Sequence, residues 1–211
     1  MDIEGFWDLI ERSGREAASR KERLAWLEGE LCRRSVEEIV DYQACWDVTA
    51  NRGCRFDLYA GYWFVFGSGS IDGFEYLVYW LISLGRATFE AVADCPDHLI
   101  EQPQVLAARK GEYAYYHLSR RKQKESTWTE EDRYEFELLA YVAFDAYAKV
   151  TGEGDDDVFE AVRARGIRSE FPLMLGVDGS DLRGEHWDLG DDQELARKLP
   201  RIARYRNSGE L

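Results

Sequence analysis

The chain has 211 residues with 41 acidic and 27 basic side chains, a formal net charge of −14 and a 45% hydrophobic share. Seven Trp, 12 Tyr and 10 Phe are far more aromatic material than a solvated acidic chain carries, which excludes disorder, and the length suffices to bury the core of one domain. The surplus negative charge argues against nonspecific binding to nucleic acid or to an anionic membrane, both of which reward a basic face.

The N-terminal segment is acidic and lacks the basic start and apolar run of a signal peptide. The longest uncharged stretch, residues 58–71, is 14 residues long with three glycines, short of the roughly 20 apolar residues a spanning helix needs. Cys32, Cys45, Cys54 and Cys95 are 13, 9 and 41 positions apart, without the close pairs of a zinc site, and read as buried thiols. The expected compartment is the cytoplasm, with no cofactor and no metal.

Helical signals run along most of the chain. Asp2 reads as the N-cap of a first helix carrying Phe6, Trp7 and Ile10 and stopped by Gly14. A second helix is predicted over 16–33, with Leu24, Leu27 and Leu31 inward and Arg20 to Arg23 wet. Ser35 and Glu38 form a capping box that opens a third, bearing Ile39, Tyr42 and Trp46 and ending near Gly53. Residues 56–66 are apolar on every side. Leu58/Tyr62/Phe66 and Tyr59/Trp63 fall at i, i+4, which favours a central helix over a buried strand. A second capping box, Asp72 with Glu75, predicts a long helix over 72–93.

Beyond it, Pro96 and Pro103 punctuate an irregular region, and a polar helix is expected over 113–122. Thr127 or Thr129 caps an expected helix over 130–150, with Gly152 past its end, and Asp155–Asp157 open a short helix containing Val158, Phe159 and Val162. Residues 166–190 read as a long loop. Asp191 and Glu194 then cap a last helix with Leu195, Leu199 and Ile202, which Pro200 bends or breaks. The expected fold is all-α: one domain over 1–211, an irregular helical bundle with apolar central helices and a long C-terminal loop before the last helix.

Several stretches together resemble one bacterial family. These are Phe6-Trp-Asp-Leu-Ile-Glu11, the central Gly67-Ser-Gly-Ser-Ile-Asp-Gly-Phe-Glu-Tyr-Leu-Val-Tyr-Trp-Leu-Ile-Ser-Leu-Gly85, and Ala143-Phe-Asp-Ala-Tyr-Ala-Lys-Val-Thr-Gly152. Gly184-Glu-His-Trp-Asp188 and Leu195-Ala-Arg-Lys-Leu-Pro-Arg201 fit as well. On these residues the chain is similar to domain-of-unknown-function family 4240 over nearly its whole length. The resemblance implies a helical cytoplasmic domain and carries over no catalytic residues.

The chemistry-bearing residues are weighed one group at a time. The Gly67–Asp72 turn before a helix has glycines that can offer amides to a phosphate, but it lacks a P-loop lysine, and Asp72 repels an anion. His98, His117 and His186 have no histidine or cysteine at ligand spacing, and His186 beside Trp187 is the one of interest. The acid runs 153–157, 178–181 and 188–192 lack a calcium-loop ladder. The basic run Arg120-Arg-Lys-Gln-Lys124 follows Tyr113, Tyr115 and Tyr116, a sparse footprint for nucleic acid that reads better as a solvated helix face. Asp145 and Asp57 stand in apolar helices, and a buried carboxylate needs a cation, a hydroxyl or a helix N-terminus. Arg55 and Arg86 are the candidate cations, with Tyr59 and Tyr141 as hydroxyl donors. Trp7, Trp26, Trp46, Trp63 and Trp80 are expected in the core. Trp128 and Trp187 lie outside the apolar stripes and are candidate partner anchors.

Two functions follow from different classes. The first is a non-enzymatic interaction or regulatory protein, adaptor or immunity type, whose acidic surface docks a basic protein partner through Trp128, Trp187, His186 and Arg86. The alternative is an enzyme or small-ligand-binding protein with an acid-lined central pocket around Asp57, Asp72, Glu75 and Asp145.

Overall fold

The computed structural model describes residues 1–67, 69–171 and 182–209. Among them the backbone is helical with no strand, only an isolated bridge between Arg55 and Arg183. The all-α expectation holds.

Several helices begin where side chains can satisfy orphan amides. Helix α1 (Ile3–Glu16) is capped by Asp2, α2 (Arg20–Leu31) by Ser19, and α3 (Val36–Gly53) by Ser35 in a complete capping box with Glu38. Gly14 does not stop α1, which runs two residues further. Helix α4 (Phe56–Phe66) is the apolar central segment. Nearly all of it is buried, which explains why its sequence shows no polar face.

The expected long helix over 72–93 is two helices, α5 (Ile71–Ser83) and α6 (Arg86–Asp94). Gly85 between them has φ +99°, a conformation that costs other residues their Cβ contacts and ends α5. The cap is also displaced from expectation. Ser70 Oγ, not Asp72, accepts from Gly73 N at 2.9 Å, because Ser70 has the extended backbone of an N-cap while Asp72 is already helical.

A 3₁₀ turn (Pro96–Glu101) leads to α7 (Pro103–Tyr116) and the short α8 (Arg120–Lys124). The helix expected over 113–122 is thus split at His117. The helix expected over 130–150 is cut still further. Two 3₁₀ turns (Glu130–Asp132 and Glu137–Tyr141) precede α9 (Val142–Thr151), which ends at Gly152. The reason is tertiary. The Arg20 guanidinium donates to the carbonyls of Glu131, Arg133 and Glu135, and Phe136 N donates to Tyr76 O at 3.2 Å. Backbone groups needed for a helical ladder are taken by these partners. Arg20, expected in solvent, is therefore largely covered.

Helix α10 (Asp155–Ala164) follows, then α11 (Asp192–Lys198) and α12 (Pro200–Asn207), separated at Pro200. The core centres on α4 and α5, walled by α1, α3, α6 and α12, with α3 also packed on α9 and α10. Aromatic contacts knit it, with Phe6 to Tyr42 at 5.1 Å, Trp46 to Tyr79 at 5.3 Å and Tyr59 to Phe74 at 5.4 Å between centroids. Trp7, Trp46 and Trp80 are buried and Trp26 and Trp63 partly so. At Gly53 the α3 backbone approaches α5 so closely that a Cβ would lie 2.8 Å from Val78 Cγ1. No helix among the described residues is long and apolar enough to cross a membrane, and the four cysteines are free thiols.

Candidate functional site

The four carboxylates expected around one central pocket occupy separate environments. Asp57, in the first turn of α4, is half-buried. It accepts from Arg55 Nε at 2.9 Å and from a second nitrogen of the same guanidinium. Glu75 is buried in α5 and accepts from Tyr79 Oη at 2.7 Å. Asp72 is exposed beside it in sequence, because the helix turns position 72 to solvent and position 75 to the core.

Asp145 corrects the expectation of burial: it is exposed on α9. The surrounding sequence is apolar, but Val142, Ala143, Phe144, Ala146 and Tyr147 cover the buried arc and position 145 falls in the gap. Its carboxyl sits above the ordinary carboxylate range, through partial desolvation first and then the nearby charges of Glu28 and Asp155, which Lys149 opposes.

Arg86 pairs with Glu4 at 2.7 Å and with Glu90 at 3.1 Å, not with a buried acid. Trp128 is half-buried, stacked on Tyr115 at 4.6 Å with the Arg133 guanidinium 5.2 Å from its ring centroid. Trp187 stacks on Phe64 at 6.0 Å, and neighbouring His186 stacks on Phe56 at 4.2 Å while its Nε2 donates to Leu182 O at 2.6 Å. Both indoles therefore already use their faces within the chain. Asp57 and Trp187 share a small cleft of about 190 Å³ with Lys198 and Glu185, the one juxtaposition of two sequence candidates in a cavity described here. The basic run lies exposed on α8, and of the acid clusters 178–181 is outside the described residues.

A different face presents unpartnered apolar surface. The 3₁₀ turn Glu137–Tyr141 leads directly into α9, and in a 3₁₀ turn positions i and i+3 eclipse. Leu138 and Tyr141 therefore project together, 59% and 47% exposed. Burial first, then Glu137, Glu75 and Asp155, raise the Tyr141 hydroxyl above its ordinary range. Asp155 acts on both Tyr141 and Asp145, which places all three in one field. In sequence Tyr141 reads only as a hydroxyl donor to a buried acid and Leu138 carries no mark, because an apolar residue in an apolar stretch gives no sign of exposure; only the 3₁₀ geometry turns the pair outward.

The family model described as protein of unknown function, DUF4240, matches residues 1–149. The chain belongs to this family. The match includes α1 to α8 and the Leu138–Asp145 face, and stops before Gly184–Asp188 and Leu195–Arg201. No curated protein and no solved structure matches the chain.

Proposed function

We propose that this DUF4240 protein is a non-enzymatic interaction or regulatory protein of the cytoplasm, adaptor or immunity type, that docks a basic protein partner on the Leu138–Tyr141–Asp145 face. The observation that carries the reading is the exposure of Leu138 and Tyr141, 59% and 47%, with the carboxylates of Glu137 and Asp155 acting on Tyr141. Exposed apolar side chains rimmed by one sign of charge suit a partner with an apolar anchor and a basic rim. The charge of −14 steers such a partner in and turns away DNA and acidic lipid. Trp128 and Trp187, engaged within the chain, serve packing in this reading, and the anchor role passes to Leu138 and Tyr141.

The test is capture of the partner from the native host, followed by binding kinetics at two ionic strengths with wild type and Leu138→Ser/Tyr141→Ser. A basic partner is expected, with association slowed by salt and affinity reduced about tenfold or more by the double substitution. An acidic partner, indifferent to salt and to the substitutions, sinks the proposal.

A further inference from the structure

A cavity of about 700 Å³ opens between α3, α10 and the segment that follows α10. Asp47 of α3 is one of its walls and is only 2% exposed. The Gln43 Nε2 donates to Asp47 Oδ1 at 2.8 Å, yet no cation is paired with this carboxylate among the described residues. Gln43 Oε1, buried beside it, has no hydrogen-bond partner there either. A buried charge without a counter-ion is costly and is kept where something offsets it.

The opposite charge is present but separate. Arg163 and Arg168 also line the cavity, both exposed and both without an ion pair among the described residues. A guanidinium fork in that state is a ready partner for a carboxylate. The rest of the wall is mostly apolar, made by Phe159, Val162, Ile167 and Phe171, with Asp156 as a second acid and Ser169. Phe171 is fixed by its contacts with Tyr79 at 5.8 Å and Phe74 at 6.3 Å. Asn51 clamps the segment through Arg168 O and Glu170 N, both at 2.7 Å. These walls are therefore held by packing and hydrogen bonds.

An anion alone meets the carboxylates of Asp47 and Asp156, and a cation alone meets two guanidinium groups. A ligand carrying both signs on an apolar body meets neither penalty. We infer that this cavity binds a small apolar zwitterion of the class of short apolar peptides, its ammonium on Asp47 and its carboxylate on Arg163 and Arg168. The site is separate from the Leu138–Asp145 face, so either proposal can fail without the other. The volume fits, since small-molecule pockets span roughly 300–1,000 Å³.

Calorimetric titration of the full chain with leucyl-leucine, its N-acetyl derivative and its C-terminal amide tests the inference. The free dipeptide is expected to bind with Kd at or below about 1 mM. N-acetylation and Asp47→Asn should each weaken binding about tenfold or more, as should amidation and Arg163→Ala/Arg168→Ala, since each removes one charge-assisted contact. Absence of binding by the free dipeptide up to about 10 mM overturns the site. So does binding that both blocked peptides retain within about twofold. Should Asp47→Asn fail to fold by circular dichroism, the blocked peptides on wild type decide alone.

Discussion

Asp97 caps a helix that begins at Pro200, more than a hundred residues away. Its carboxylate accepts from Arg201 N at 2.9 and 3.0 Å and from Ile202 N at 3.0 Å, and the Arg201 guanidinium lies 3.4 Å away. Leu199, the residue at the N-cap position of α12, has no side-chain oxygen with which to do this. Asp97 is 3% exposed, so water cannot readily replace it. Asp97→Ala should cost about 2–4 kcal/mol by orphaning the buried Ile202 amide, the part-buried Arg201 amide and one guanidinium contact. Asp97→Asn, which keeps one acceptor oxygen, should lose less. Denaturant melts of the three proteins check this, and an alanine variant within about 0.5 kcal/mol of wild type contradicts it.

The α3–α5 crossing depends on Gly53. Gly53→Ala pushes a methyl to 2.8 Å from Val78 Cγ1, and overpacking of this kind costs about 1–3 kcal/mol. Adding Val78→Ala removes the obstructing methyls, so the double variant should be less destabilised than the sum of the single ones. Strict additivity in thermal or chemical melts would falsify the contact.

Asp47 predicts a signed pH dependence. Burial pushes its carboxyl up to about 6, against 3.8 ordinarily, with Gln43 and Ser169 opposing. A raised folded value means that the stabilising contribution is full below about 3.8 and is lost as pH rises through about 6. Asp47→Asn, which cannot ionise, should therefore gain on wild type as pH climbs from 4 to 7, by an amount on the order of 2 kcal/mol. Paired melts across that range measure the difference. A difference that is flat with pH shows that Asp47 keeps an ordinary titration.

Asp145 is a surface residue in an apolar sequence. Asp145→Ala should change stability by no more than about 0.5 kcal/mol, while on the proposed docking face it should slow association with a basic partner at low salt. A loss of several kcal/mol in the melt would show that the carboxylate is buried after all.

Much of the helical layout was legible because its signals are local. Asp2, Ser35 and Asp191 cap within three residues of themselves, and the i, i+4 spacing in 56–66 identified α4 without any neighbour. The candidate sites were less legible. Asp57 and Asp145 have apolar neighbours in sequence, yet one is half-exposed beside Arg55 and the other faces solvent. Asp47, more buried than either, sits among Trp46, Val48 and Thr49 on an amphipathic helix where an acid looks ordinary.

The sequence by itself determined an all-α domain, its family and the starts of α1, α3, α4, α10 and α11, since periodicity and capping involve residues within a turn or two of one another. Only the tertiary structure decided where helices fail and which acids are buried. Arg20 takes the carbonyls of 131, 133 and 135 and prevents a helix that local propensity favours. Asp97 supplies the cap that Leu199 cannot. The helix phase of α9 turns Asp145 outward, and the fold of the 165–171 segment over α3 closes Asp47 in. For Arg20, Asp97 and Asp47 the partner is distant in the chain, so no window of sequence contains both halves of the interaction.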